Sequence, residues 1–182
     1  LDASTGWRRI QLHERNGAPV GYLTPLGSHT DRIVWASGND GMVAFEGTLT
    51  DPRHRHVYKV DVSSAKAEGD ESGDSPIQSL TGDRGYHSSI FQPRGEAFLH
   101  FGSHLEEPTS VSLRDSAGQA IATLHSPDRE EADRLGLVPP EPFDVTLADG
   151  TVLMGYLYAP SGEMPENGWP AILAPYGGPT HQ

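Results

Sequence analysis

The chain repeats itself. Leu23-Thr24 recurs as Leu80-Thr81, Ile33 as Ile90 and Phe45 as Phe101, an offset of 56–57 residues, and Ile10 and Leu12 map onto Tyr58 and Val60 at an offset of 48. Self-similarity at this spacing means that one supersecondary unit recurs. A unit of that size buries its faces only against its neighbours. Runs of alternating apolar and polar residues fill each copy and predict strands. In the first pass these are Arg8–His13, Val20–Thr24, Ile33–Trp35 and Met42–Gly47. In the second they are Val57–Val62, Pro76–Thr81, Ser88–Phe91 and Glu96–Phe101. Ser110–Leu113 and Ala120–Leu124 open a third. Turn signals separate them at Asn16-Gly17, Gly38-Asn39-Asp40-Gly41, Pro93-Arg94-Gly95 and Ala117-Gly118. With 21 glycines and 15 prolines in 182 residues, the chain has the turn density of many short strands rather than long helices. Four short strands per 40–57-residue unit, in tandem, are the pattern of β-propeller blades.

The second copy is longer by an insertion, Ser63–Ser75, rich in Ser, Gly, Asp and Glu. Its carboxylates Glu68, Asp70, Glu71 and Asp74 fit no calcium-loop spacing, and the stretch reads as a solvated loop.

The pattern changes at Ser126. An N-cap serine, Pro127 at the first helical position and Asp128 over the positive helix end start a short helix. Gly136 stops it and Pro139-Pro140 forbids its resumption. Phe143, Val145 and Leu147 then alternate up to an Asp149-Gly150 turn, and Val152, Met154, Tyr156 and Tyr158 alternate after it, which predicts a hairpin. Trp169–Pro175 is uniformly apolar, as expected of a strand buried on both faces.

Composition excludes several chemistries. There are no cysteines, so disulfides, thiolate catalysis and thiolate metal sites are ruled out. A net charge of -12 offers no basic stripe for phosphates, which argues against nucleic acid. No apolar run reaches the length of a membrane span. Arg53-His54-Arg55-His56 places two imidazoles at alternate positions, but with no third ligand beside them it reads as a solvent-facing loop rather than a metal site. His87 reads as a hydrogen-bonding packing residue.

The closing segment carries a resemblance. Asp149-Gly150-Thr151 with Leu153, Gly155, Leu157 and Pro160, then Trp169-Pro170-Ala171-Ile172-Leu173, then Tyr176-Gly177-Gly178-Pro179 and Gln182, resembles the opening of the catalytic domain in the prolyl oligopeptidase family of serine peptidases. Upstream, Phe45-Glu46-Gly47-Thr48, His56-Val57-Tyr58-Lys59-Val60, Leu80-Thr81-Gly82, His87-Ser88, Ser103 and Pro108 look closest to its dipeptidyl peptidase IV branch, of bacterial type. The resemblance implies a mainly β chain. Residues 1–125 would be the last two to three four-stranded blades of a propeller, 126–140 a linker helix with a proline exit, and 141–182 the first strands of an α/β-hydrolase domain. It implies a parent that releases Xaa-Pro or Xaa-Ala dipeptides from peptides with a free amino terminus. No cofactor is implied. Homodimerisation of the parent and its compartment, periplasm or cytoplasm, stay open.

In that family the tyrosine of the Tyr-Gly-Gly-Pro loop donates its hydroxyl to the oxyanion, so the resemblance makes Tyr176 a catalytic residue. Gly177 and Gly178 would support it by letting the backbone approach closely. The alternative is a tyrosine that only plugs a strand end. No Gly-x-Ser-x-Gly occurs, so the expected chain is catalytically incomplete, with the catalytic serine, aspartate and histidine beyond Gln182 and the amino-terminus-binding acids before Leu1. Glu106-Glu107 matches no such pair, and His181 reads as exposed. An acylaminoacyl peptidase or oligopeptidase of the same superfamily, and a non-catalytic propeller binding module, are the rival readings.

Overall fold

A computed structural model describes residues 1–4, 6–49, 51–67, 69, 76–82, 84–136, 138–160 and 162–175. They fall into two compact units, Leu1–Pro127 and Asp128–Gln182.

The first unit is built of antiparallel strands. A hairpin of β1 (Gln11–His13) and β2 (Pro19–Tyr22) precedes two four-stranded sheets. One runs β3 (His29–Ala36), β4 (Met42–Thr48), β5 (His56–Asp61), β6 (Gln78–Ser79); the other runs β7 (Tyr86–Phe91), β8 (Ala97–His104), β9 (Glu107–Asp115), β10 (Ala120–His125). In both, chain order is spatial order. Two successive four-stranded meanders are the blades that the repeat predicts, and the chain is mainly β with a propeller-type repeat. The expected turns are in place, with left-handed glycines at Gly17, Gly41, Gly95 and Gly118.

Hydrogen bonds fix the equivalence of the copies and correct it by one residue. The Ile10 N–H donates to Thr24 Oγ1 at 3.0 Å, and the Val57 N–H donates to Thr81 Oγ1 at 3.0 Å. The Leu23 N–H donates to the Ile10 carbonyl at 2.9 Å, and the Leu80 N–H to the Val57 carbonyl at 2.8 Å. Leu23-Thr24 and Leu80-Thr81 are therefore the same element, as read from sequence. Ile10, however, corresponds to Val57 rather than Tyr58. The β1–β2 hairpin is thus the β5–β6 pair of a preceding copy.

Phe45 is also displaced from its expected match. The turns after β3 and β7 close with Ser37 N–H to Met42 O and Gln92 N–H to Ala97 O. Counting three residues on from Met42 and Ala97 sets Phe45 opposite His100, not Phe101. The cause is local. β3 carries two register shifts, between Thr30 and Arg32 and between Ile33 and Trp35, whereas β7 pairs with β8 without interruption. Each bulge inserts one residue, so letter matching across it slips onto the opposite face.

Two cores lie between the sheets. Ile10 and Leu23 of the hairpin pack with Val43, Phe45, Tyr58 and Val60 of the first sheet. Val57 and Leu80 pack with Phe98, against which Phe91 also lies. Phe45, Val57 and Val60 are fully buried, each worth about 1.5–3 kcal/mol relative to exposure. Lys66, at the start of the insertion, exchanges backbone hydrogen bonds with Tyr22, at 2.8 and 3.0 Å, and so ties the hairpin to the first sheet. On the second sheet Ile90, Ile121 and Leu124 stay more than half exposed.

In the second unit, α1 (Arg129–Arg134) occupies the expected helical stretch. It ends at Gly136, whose φ is 62° and whose N–H donates to the Asp133 carbonyl. The predicted hairpin is present as β11 (Glu141–Thr146) and β12 (Val152–Leu157), closed at left-handed Gly150. The expected buried strand at Trp169–Pro175 is not formed. The segment has no strand hydrogen bonding, and Ile172 and Leu173 are 97% and 87% exposed. A central strand takes its hydrogen bonds from neighbours on both sides, and among the described residues β11 and β12 pair only with each other.

Candidate functional site

The residue on which the sequence rests its site, Tyr176, lies outside the described residues, with Gly177, Gly178 and His181. So do Glu68, Asp70, Glu71 and Asp74 of the insertion. Glu106 and Glu107 fall at the tight β8–β9 connection and are exposed, with the Glu106 N–H donating to His104 Nδ1.

What the structure brings together instead is a file of imidazoles across the boundary between the two sheets. His54 stands edge-on to His56, which stacks on His87 with ring centroids 5.1 Å apart, and His87 stacks on His100 at the same separation. His56 comes from β5, His87 from β7 and His100 from β8. The sequence expectation of a solvent-facing loop at His54–His56 is therefore corrected. His56 begins a core strand and is partly buried, because β5 lies directly against β7. His87 is buried and hydrogen-bonded, as expected of a packing residue.

The His87–His100 contact is a hydrogen bond, Nδ1 to Nε2 at 2.9 Å, and His100 Nδ1 lies 3.2 Å from Ser112 Oγ. Two tautomer sets satisfy both: His87 Nδ1–H donates to His100 Nε2 and His100 Nδ1–H to Ser112, or His100 Nε2–H donates to His87 Nδ1 and the Ser112 hydroxyl to His100 Nδ1. Burial, then Arg114 and then His87 push the His100 pKa down to about 4. A weakly basic imidazole is a poor general base near neutral pH, and the Ser112 contact reads as packing within the second sheet. Among the described residues no group of three His, Asp or Glu side chains could hold a metal ion.

A second buried polar group joins the sheets. Glu46, 3% exposed, accepts from the Ser89 N–H at 2.7 Å and from Ser89 Oγ at 3.0 Å across the sheet boundary. It also receives Arg32 through Nε at 2.8 Å and Nη2 at 3.2 Å. Beside it Arg55 Nε approaches Asp31 at 2.6 Å, and burial raises the Asp31 pKa against the pull of that arginine. Sequence reading passed over His100 and named Glu46 only within the Phe45–Thr48 resemblance, without a role. The available signal for Glu46 was a carboxylate inside the apolar run Met42–Gly47, where both faces are buried and a charge requires partners.

Comparison with known proteins follows the same lines. Residues 1–109 match the family described as the dipeptidyl peptidase IV (DPP IV) N-terminal region. The solved structure of Porphyromonas gingivalis dipeptidyl peptidase 4 is similar with a TM-score of 0.66 and 18% identity, over 81% of this chain and 20% of that one. The chain thus spans about a fifth of that protein, and the likeness is one of fold.

Proposed function

The chain belongs to the dipeptidyl peptidase IV N-terminal region family, and from that premise we propose that it is part of a serine exopeptidase that releases amino-terminal dipeptides, Xaa-Pro or Xaa-Ala, from peptides. The observation that carries the reading is the family match over residues 1–109, the stretch that holds the β1–β2 hairpin, the whole first four-stranded sheet and β7 and β8 of the second. Residues 1–125 serve as propeller blades that restrict access to short or unfolded peptides, 126–140 as a linker, and 141–182 as the opening of the α/β-hydrolase domain. The β11–β12 hairpin with its Asp149-Gly150 turn supports the last assignment, together with the Tyr176-Gly177-Gly178-Pro179 sequence. Tyr176 is the oxyanion donor and Gly177 and Gly178 shape its loop. Serine, aspartate and histidine from outside these residues complete the site.

The test is hydrolysis by the full-length protein of Gly-Pro and Ala-Pro chromogenic amides, with free and with acetylated amino termini. Release from the free forms only, blocked by a serine-directed phosphonate, is the expected result. Equal release from the acetylated forms would overturn the exopeptidase reading, and no release of either kind would overturn the peptidase assignment.

A further inference from the structure

We propose that the stacked histidines His56, His87 and His100 form an acid-sensitive latch between the two four-stranded sheets, closed while the rings are neutral and opened when the file takes up protons. The geometry sets this limit. The 2.9 Å contact between His87 Nδ1 and His100 Nε2 holds only if just one of those nitrogens carries a hydrogen. A first added proton can sit on the pair without breaking it. A second turns two N–H groups toward each other and forces the rings apart.

The surroundings do not favour a charged file. Arg114 on β9 stands beside His100, with Nε 3.3 Å from the same Ser112 hydroxyl that His100 contacts. His56 on β5 lies against His87 from the other sheet, so charging two adjacent rings sets like charges about 5 Å apart. The carboxylates nearby are engaged elsewhere. Glu46 on β4 holds Ser89 and Arg32. Asp51, 3.9 Å from His54 at the far end of the file, holds Arg53. The depressed basicity of His100 agrees with this packing.

The repeat supplies the remaining argument. Phe45 occupies in the first sheet the place that His100 occupies in the second, so the fold accepts a non-titrating aromatic there. The titratable ring is an addition to the packing rather than a requirement of it. The His87–His100 bond lies within the second sheet, but His87 also carries the ring contact with His56 across the boundary, so forcing His87 away from His100 disturbs the β5–β7 contact.

Hydrogen exchange of the full-length protein at pH 7.5 and 5.0, corrected for intrinsic rates, tests the latch. Openings that expose β7 and β8 amides should become more frequent in acid on the order of tenfold, while β4 amides facing the β1–β2 hairpin change little. His100→Phe should remove the difference. If wild-type β7–β8 protection is independent of pH, or if the variant keeps the wild-type response, the latch is wrong. Should that variant fold poorly, imidazole NMR of the wild type decides. A neutral His100 at pH 5.5, in either tautomer, supports the proposal. Titration of His100 at an ordinary histidine midpoint without any change in exchange overturns it.

Discussion

Val57 holds the place in the first four-stranded sheet that Ile10 holds in the preceding hairpin, for the N–H of each donates at 3.0 Å to a threonine hydroxyl, Thr81 and Thr24 respectively. Both threonines are essentially buried. The bond thus satisfies a backbone donor that the sheet ladder leaves over, at the point where the outer strand begins its return. Thr24 adds a second contact, its carbonyl accepting from Arg9 Nε at 2.9 Å.

Thr81→Val keeps the shape of the side chain and strands the Val57 N–H in the core. Loss of about 1–3 kcal/mol of stability is expected, read as a lower urea midpoint with an unchanged slope. Thr24→Val should behave alike with Ile10. A loss under about 0.3 kcal/mol at both positions would show that these hydroxyls do not close the blades.

How far the fold was legible follows from those same residues. Leu-Thr pairs, glycine turns and alternating runs are local signals, and they located all ten strands of the first unit and the β11–β12 hairpin. Equivalence between copies is a matter of register, and register is invisible across a bulge. Thr30 and His87 are equivalent, since their N–H groups bond the Arg8 and Arg55 carbonyls, and they stand 57 positions apart. Met42 and Ala97, beyond the two bulges of β3, stand 55 apart. Matching Phe45 to Phe101 followed hydrophobicity and so missed that His100 takes the core position. The stacking of His56 on His87 joins residues on different sheets, and no spacing within one strand announces it. Trp169–Pro175 had the composition of a central strand, but composition cannot supply the neighbouring strands that would pair with it.

Glu46 should be worth more to the sheet boundary than its ion pair with Arg32. Arg32 is 59% exposed and so loosely held against solvent, whereas Ser89 meets the same carboxylate in a buried contact. Glu46→Ala is expected to cost about 2–4 kcal/mol by leaving the Ser89 N–H unpaired and Arg32 without its acceptor. Arg32→Met should cost less, about 1 kcal/mol. A double-mutant cycle checks the order; an Arg32 effect equal to that of Glu46 would put the ion pair, not the bond to Ser89, in charge.

Two titrations should weaken the fold in acid through separate windows. The folded-state pKa of His100 is depressed from 6.5 to about 4. Its neutral form therefore costs nothing above pH 6.5, and stability is lost as pH falls from 6.5 toward 4, by up to about 3 kcal/mol. Asp51 is held down from 3.8 to about 2, chiefly by the hydrogen bond from Arg53. Its contribution is present above pH 3.8 and fades between there and 2. With Asp51 30% exposed, solvent screening keeps that second loss below about 1 kcal/mol. Urea midpoints at pH 7.5, 5.5, 4.5 and 3 separate the two. A flat response between 7.5 and 4.5 would contradict the burial of a neutral His100, and Asp51→Asn should flatten only the lower limb.

The sharpest prediction concerns Tyr176, as assigned under the proposed function. In the full-length protein, Tyr176→Phe keeps the ring and removes only the hydroxyl, so a loss of activity reports a hydrogen bond rather than a cavity. An oxyanion donor meets charge that exists only in the transition state, and its removal lowers kcat by roughly 10²–10³ with little change in KM. A tyrosine that merely plugs the end of a strand gives the reverse pattern, a near-normal kcat and a small fall in the melting temperature. Steady-state kinetics of wild type and variant on a Gly-Pro amide, with melts run beside them, distinguish the two. A fall in kcat of less than about threefold with an unchanged melt would remove Tyr176 from the catalytic machinery. It would leave the dipeptide-releasing assignment resting on the amino-terminus dependence of the substrate assay.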